Sequence, residues 1–513
     1  MTGNWTDLAL LLVPLVYLLA AGLAGFTRPR AGWRLVQGGN ALALCLALAL
    51  DLAPAPVSGW FLHDPVNSIV LSLVAFIGLV VARFATHYLN GDPGQARFQR
   101  WLQVTLACVA VVVTTNHYLV LLLAWAGISL SLHQLLMFYP ERKRAALAAH
   151  KKFLFARLAE LCLAAAGVLL YLEHGTLFID GMLAAYAEPG VTLGLREQLA
   201  ALLIASAAMV KCAQFPMHGW LIQVVEAPTP VSALLHAGII NLGGYLLLLM
   251  APLMMLAAPA KGLLLVVAGL TCVIAALITM TRVSIKVLLA WSTVAQMGLM
   301  LVECALGQYG LALLHLVAHS CYKAYCFLAA GGQVEAYLRQ RLAPPAPAPR
   351  AAAPLFAAVA IAGFAGFAAI GWLTADASLW LLFALMALVL VSERGSVRVS
   401  GSALRALAVA AALGLAYALQ KFVFTALAPA GAAPGLAATL WCAALFLGLL
   451  GAYWLLRCRP GSALARRLYR NLFAGLYLDE WATRITLAIW PAQLPLRAAS
   501  KQVLTIKQLE VTR

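Results

Sequence analysis

Residues 211–248 read KCAQFPMHGWLIQVVEAPTPVSALLHAGIINLGGYLLL. Lys211 closes one apolar run, and Glu226 and His236 open the next. Pro216, Pro228 and Pro230 lie between them. A proline in a helix interior removes a hydrogen bond and clashes with the preceding turn, so the helix that carries Lys211 should break near Pro216. Broken helices at membrane depth are tolerated only against protein or a water-filled cavity. The stretch therefore reads as a polar path inside an apolar body.

The body is a membrane. Hydrophobic residues make up 64% of the 513 positions and charged residues only 10%. Long unbroken apolar runs, without the alternation of a barrel strand, make the class an all-α polytopic membrane protein. About 15 spans of ordinary length fit the chain. The first lies near 7–25; others lie near 153–172, 197–212 and 230–250, and the last near 436–456. No basic region precedes the first span, which reads as a span and not a cleaved signal. The ten cysteines form no CxxC pair and read as small core residues.

The net charge of +17 does not indicate a nucleic-acid partner. The basic residues cluster in the short strings RPRAGWR, ARFQR, ERKRAALAAHKK, RQRLAPPAPAPR, ERGSVR and RCRPGSALARR. Read as loops, all six fall on one side when the N-terminus is outside, as the positive-inside rule requires. The expectation is a multi-pass protein of the cell inner membrane with a cytoplasmic C-terminal tail. Residues 1–64 form N-terminal helices, 65–335 a core rich in buried polar groups, and 336–352 a cytoplasmic linker. Residues 353–456 are apolar helices with few polar groups, and 457–513 are the tail. The tail mixes aromatic, leucine and basic residues at helical spacing, as suits a helix on the inner leaflet or a docking surface for a soluble partner.

A charge in a bilayer core is costly, so each ionisable residue there is a functional candidate. Lys211 is a candidate proton carrier; the plainer reading is a lysine snorkelling to the interface. Glu226 is a cavity carboxylate or a surface acid, and His236 a relay or a hydrogen-bonded core histidine. His315, His319 and Lys323 in HLVAHSCYK are spaced by four and share one helical stripe, as a proton wire needs. Zinc is the weaker reading of that stripe, because no third ligand is evident. Glu160 lies one turn after Arg157 and can form a simple i,i+3 pair. His133 ends its helix, and Glu303 reads as an edge residue. No catalytic constellation appears.

The strings KCAQFPMHGWL, EAPTPVSALLHAGIINLGGYLL, AWSTVAQMG and GLALLHLVAHSCYKAYCFLAAG closely resemble the antiporter-like subunits of respiratory complex I and of Mrp cation antiporters. The resemblance covers about residues 60–335 and GLYLDEW in the tail. It implies a core of two inverted five-helix repeats with a broken helix, joined by a buried polar axis. It implies that Lys211 is the broken-helix lysine, that His236 belongs to the following helix, and that His315, His319 and Lys323 are the central row. Glu160 falls where the family usually has an aspartate. The family's GWEG string is AWAG here, so Ala126 replaces the glutamate that partners the lysine; Glu160 or His133 could substitute. The later lysine string is absent from AGFAGFAAIGWLTADAS.

A short chain with a degenerate second half resembles one branch most, the DabB-type membrane subunits of the DAB inorganic-carbon accumulation complex. That resemblance implies a large cytoplasmic DabA-like partner, in a heterodimer or larger assembly. Zinc is expected in the partner, and no cofactor in this chain. The rival readings are a proton-pumping subunit of an NADH/quinone-type complex, an Mrp-type cation/H⁺ antiporter component and a membrane anchor without transport.

Overall fold

The computed structural model describes residues 4–53, 59–188, 190–342, 419–420, 422–431 and 434–490. Regular structure among them is helical apart from two isolated bridges, Phe61–Thr115 and His117–Phe178. Eleven helical segments among the described residues are long and apolar enough to cross a membrane. The apolar helices expected over 353–456 lie outside the described residues up to residue 418, as does the expected linker 336–352 after Leu342.

The first group is α1 (Asn4–Phe26), α2 (Pro29–Leu50), α3 (Pro65–Tyr88), α4 (Gln95–Thr114), α5 (Tyr118–Leu136) and α6 (Lys143–His174). A short α7 (Ile179–Ala184) precedes α8 (Leu195–Lys211). Local chemistry sets these ends. The Asp64 side chain accepts from the Asn67 N–H at 2.8 Å and caps α3, with Pro65 at its first position. Gly175, at φ 68°, ends α6 in the left-handed conformation.

Three of the basic strings are largely helix and not loop. RPRAGWR is the start of α2, ARFQR the start of α4, and ERKRAALAAHKK is helical from Lys143 onward. Hydropathy trims charged turns off helix ends, so the sequence reading shortened all three spans. At 32 residues α6 is about 48 Å long, more than the bilayer core requires. The loops that follow α1, α3 and α5 lie at one end of the bundle, called the basic end below.

α8 stops at Lys211, and residues 212–218 cross to a short α9 (Gly219–Gln223). Ala213 takes φ 52°, and the Phe215–Pro216 peptide is cis. The freed backbone groups find partners, as burial in a membrane demands. The Phe215 N–H donates to Thr271 Oγ1 at 3.1 Å, and the Gln214 N–H to the Met209 carbonyl at 2.9 Å.

A 3₁₀ turn (Val224–Glu226) leads to α10 (Thr229–Ala237), whose first turn accommodates Pro230. The expected span 230–250 is interrupted: Ile239–Asn241 form a 3₁₀ turn before α11 (Leu242–Leu249). Asn241 Nδ2 covers the Ala237 carbonyl at 3.1 Å, and Cys212 Sγ donates to the Ile240 carbonyl at 3.4 Å.

Then follow α12 (Ala251–Leu256), α13 (Ala258–Thr279), α14 (Ile285–Ala305), α15 (Tyr309–Leu328) and α16 (Gln333–Leu342). α13 and α14 pack so closely that a Cβ on Gly298 would lie 2.7 Å from the Ala268 carbonyl oxygen. Past the undescribed segment, α17 (Leu436–Cys458) lies against α13, and α18 (Ala463–Phe473) and α19 (Glu480–Ile489) form the described tail. This tail folds back on its own chain at the basic end. Arg282 Nη2 donates to the Leu472 carbonyl at 2.9 Å, and its guanidinium lies over Trp291 and Phe473.

Candidate functional site

The spacing of four along α15 does align His315, His319 and Lys323, and α14 supplies the groups that face them. His315 Nδ1 lies 3.0 Å from a Glu303 carboxylate oxygen. Glu303 is only 3% exposed, so it is an interior acid and not the edge residue that hydropathy suggested. The two residues are 12 apart and meet because the short turn between α14 and α15 folds the helices antiparallel. The His315 and His319 rings are 6.1 Å apart. Both ring nitrogens of His319, itself buried, have no hydrogen-bond partner among the described residues.

Lys323 is fully buried. Its Nζ donates to the Leu289 carbonyl at 3.0 Å and to Ser292 Oγ at 2.9 Å. His236 is also fully buried, with its ring stacked on Phe327 at 4.3 Å. His236 Nδ1 lies 3.1 Å from Thr293 Oγ1, and that hydroxyl donates to the Leu289 carbonyl at 3.0 Å. A hydroxyl has one proton to give. Thr293 therefore accepts from His236, which assigns the Nδ1–H tautomer and leaves Nε2 as a free lone pair.

A second cluster surrounds Lys211. Its Nζ sits 4.5 Å from the Trp125 ring centre, over the π-face. Trp125 immediately precedes Ala126, so an aromatic face stands beside the position of the missing glutamate. Ser129, one turn along α5, accepts from buried Lys152 through its carbonyl at 2.6 Å and its hydroxyl at 3.2 Å. Glu160 pairs with Arg157 at 2.7 Å, and its carboxylate also lies within reach of Ser129, Lys152 and Lys211. Lys211, Lys152, Trp125 and Ser129 line a cavity of about 20 Å³, closed by Ile239 and Ile240 of the 3₁₀ turn that follows the helix of His236. That volume is room for about one water.

A third element is the tail. Lys151, adjacent to Lys152, is 0% exposed. Its Nζ donates to both Asp479 oxygens, at 2.9 and 2.8 Å, and to Thr483 Oγ1 at 2.8 Å. Gln223 Nε2 of α9 adds a third contact to the Asp479 carboxylate at 2.9 Å. Burial pushes the Asp479 carboxyl up from its ordinary range, and the Lys151 ammonium opposes that shift.

The structure thus brings Lys211, Glu160 and Lys152 together, and separately His236, His315, His319 and Lys323. His133 lies one turn beyond Ser129 on α5, stacked with His150 and Trp490 at the basic end. Glu226 is half-buried in its 3₁₀ turn, and its carbonyl accepts from Arg142 Nη1 at 3.4 Å. Sequence reasoning missed Lys151, Lys152, Glu303 and Asp479. The lysines were hidden in a basic string taken for a loop. Asp479 carried a signal in GLYLDEW, but its partner lies 328 residues away.

Residues 115–399 match the NADH:quinone oxidoreductase/Mrp antiporter transmembrane family, and residues 53–99 match the N-terminus of NADH-ubiquinone oxidoreductase (complex I) chain 5. The chain belongs to the NADH:quinone oxidoreductase/Mrp antiporter family. It is 45% identical to the "Probable inorganic carbon transporter subunit DabB" of Hydrogenovibrio crunogenus, over 99% of both chains. It is 35% identical to the "Probable inorganic carbon transporter subunit DabB2" of Halothiobacillus neapolitanus, over 96% of both. Among solved structures, the Mrp complex from Dietzia sp. shares the fold at a TM-score of 0.57 and 23% identity, covering 98% of this chain and 58% of that one. Within the antiporter family, then, the chain is of the DabB type along its whole length.

Proposed function

We propose that this chain is the cation-translocating membrane subunit, most simply for H⁺, of a two-part inorganic-carbon accumulation system. It couples the proton motive force to a cytoplasmic, carbonic-anhydrase-like, zinc-containing DabA-type partner. The full-length likeness to the Hydrogenovibrio crunogenus subunit carries this reading. The buried ionisable groups support the coupling half of it. One elementary charge crossing the membrane releases about 2.3 kcal/mol per 100 mV. In this reading a chain of groups from Glu303 and His315 through His319, Lys323 and His236 to Lys211 and Lys152 carries that energy. In this reading the basic end faces the cytoplasm, the N-terminus lies outside, and the chain has no catalytic centre of its own.

The test is to co-express the chain with its partner in cells that cannot grow without added CO₂. Bicarbonate accumulation should appear, collapse with a protonophore, and vanish in Lys323→Ala at full expression. Accumulation that survives both the protonophore and the substitution would overturn the coupling.

A further inference from the structure

The charged groups around α6 do not balance without the tail. Lys151, Lys152, Arg157 and Lys211 are four basic side chains, and among the described residues of the membrane part the carboxylate that faces them is Glu160. The second carboxylate, Asp479, arrives from the tail, where it accepts two hydrogen bonds from the Lys151 ammonium while Thr483 Oγ1 accepts a third. Every hydrogen bond of this fully buried ammonium therefore ends on residues 479–483. The docking site is shaped for this. A Cβ at Gly219 would lie 1.4 Å from Asp479 Oδ1, so only glycine lets the carboxylate reach both Lys151 and Gln223. Gly219 opens α9, the short helix just past the break that follows Lys211.

We infer that Asp479 is the counter-charge of the buried lysine cluster, and that the docked tail completes the charged path beside the broken helix. Asp479 is a positioning residue in this role: it holds Lys151 paired and compensates the charge next to Lys152 without itself carrying the translocated ion. This rests on the translocation reading for its effect on flux, but not for its effect on docking. It also gives a soluble partner a means of control. A pull on residues 475–490 strips that carboxylate from Lys151, beside the path.

The experiment uses the full complex in lipid, with hydrogen exchange of residues 475–490 and proton flux as readouts. Removing one member of a buried ion pair leaves an uncompensated charge, whereas removing both is often neutral. Asp479→Asn and Lys151→Met should each raise tail exchange, by roughly 100-fold or more from the cost of an unpaired buried charge, and stop flux. The double variant K151M/D479N should restore slow exchange and most of the flux. Gly219→Ala keeps every charge but displaces Asp479, and should reproduce Asp479→Asn. If the single variants pump normally, or the double variant docks but stays inactive, Asp479 is not a counter-charge. If wild type moves no protons, the translocation reading fails, and the exchange data still decide whether the pair holds the tail.

Discussion

Lys323 and His236 are tied to the same backbone oxygen. Lys323 donates to the Leu289 carbonyl directly, and His236 reaches it through the Thr293 hydroxyl. A change in the protonation of either residue therefore alters the hydrogen bonding of the other across one atom.

Thr293→Val keeps the shape and removes that bridge. It leaves His236 Nδ1 buried without a partner, at a cost of about 1–3 kcal/mol. The melting temperature of the purified complex should fall, and flux should fall by more than the loss of folded protein explains. A variant equal to wild type in both would mean the bridge has no role.

Glu303→Gln preserves volume and one acceptor for His315 but cannot take up a proton. Expression and assembly should be retained while flux in proteoliposomes stops. Undiminished flux would remove Glu303 from the path and return it to a purely structural pairing.

Trp125→Leu removes the π-face under Lys211. Such contacts contribute about 0.5–2 kcal/mol. The expected result is a partial loss of carbon accumulation with normal membrane abundance. The companion Trp220→Leu, also on that cavity but not under the ammonium, should have a smaller effect. Equal effects of the two would show that cavity packing, and not the cation–π contact, is what matters.

Gly298→Ala tests the α13–α14 contact. Its Cβ would meet the Ala268 carbonyl at 2.7 Å and the Cys272 N–H nitrogen at 3.0 Å, and backbone atoms in packed helices cannot step aside. Overpacking of this kind costs about 1–3 kcal/mol, read as a lower melting temperature. Gly448→Ala, which meets nothing within 4 Å, serves as the control and should be silent.

Much of the architecture was legible because membranes impose one rule, that apolar helices must be long enough to cross. The row on α15 followed from its spacing alone. The α8 break followed from Pro216, although the chain leaves the helix right after Lys211. The misreadings share a cause. Hydropathy averages over a window, so Lys151 and Lys152 at the head of α6 looked like loop charges. Glu303 looked like an edge because the helix ends two residues later, yet α15 covers it. No local pattern marks a contact such as Lys151–Asp479, which joins residues on opposite sides of the apolar C-terminal half.

Lys151 and Lys152 are neighbours on one unbroken helix and so point about 100° apart. One grips the tail and the other grips Ser129 inside the bundle. α6 is therefore a crankshaft with two throws. Any rotation that loosens the outer grip swings the inner one by the same angle. A force applied at residues 479–483 reaches Ser129 through two adjacent positions of one helix.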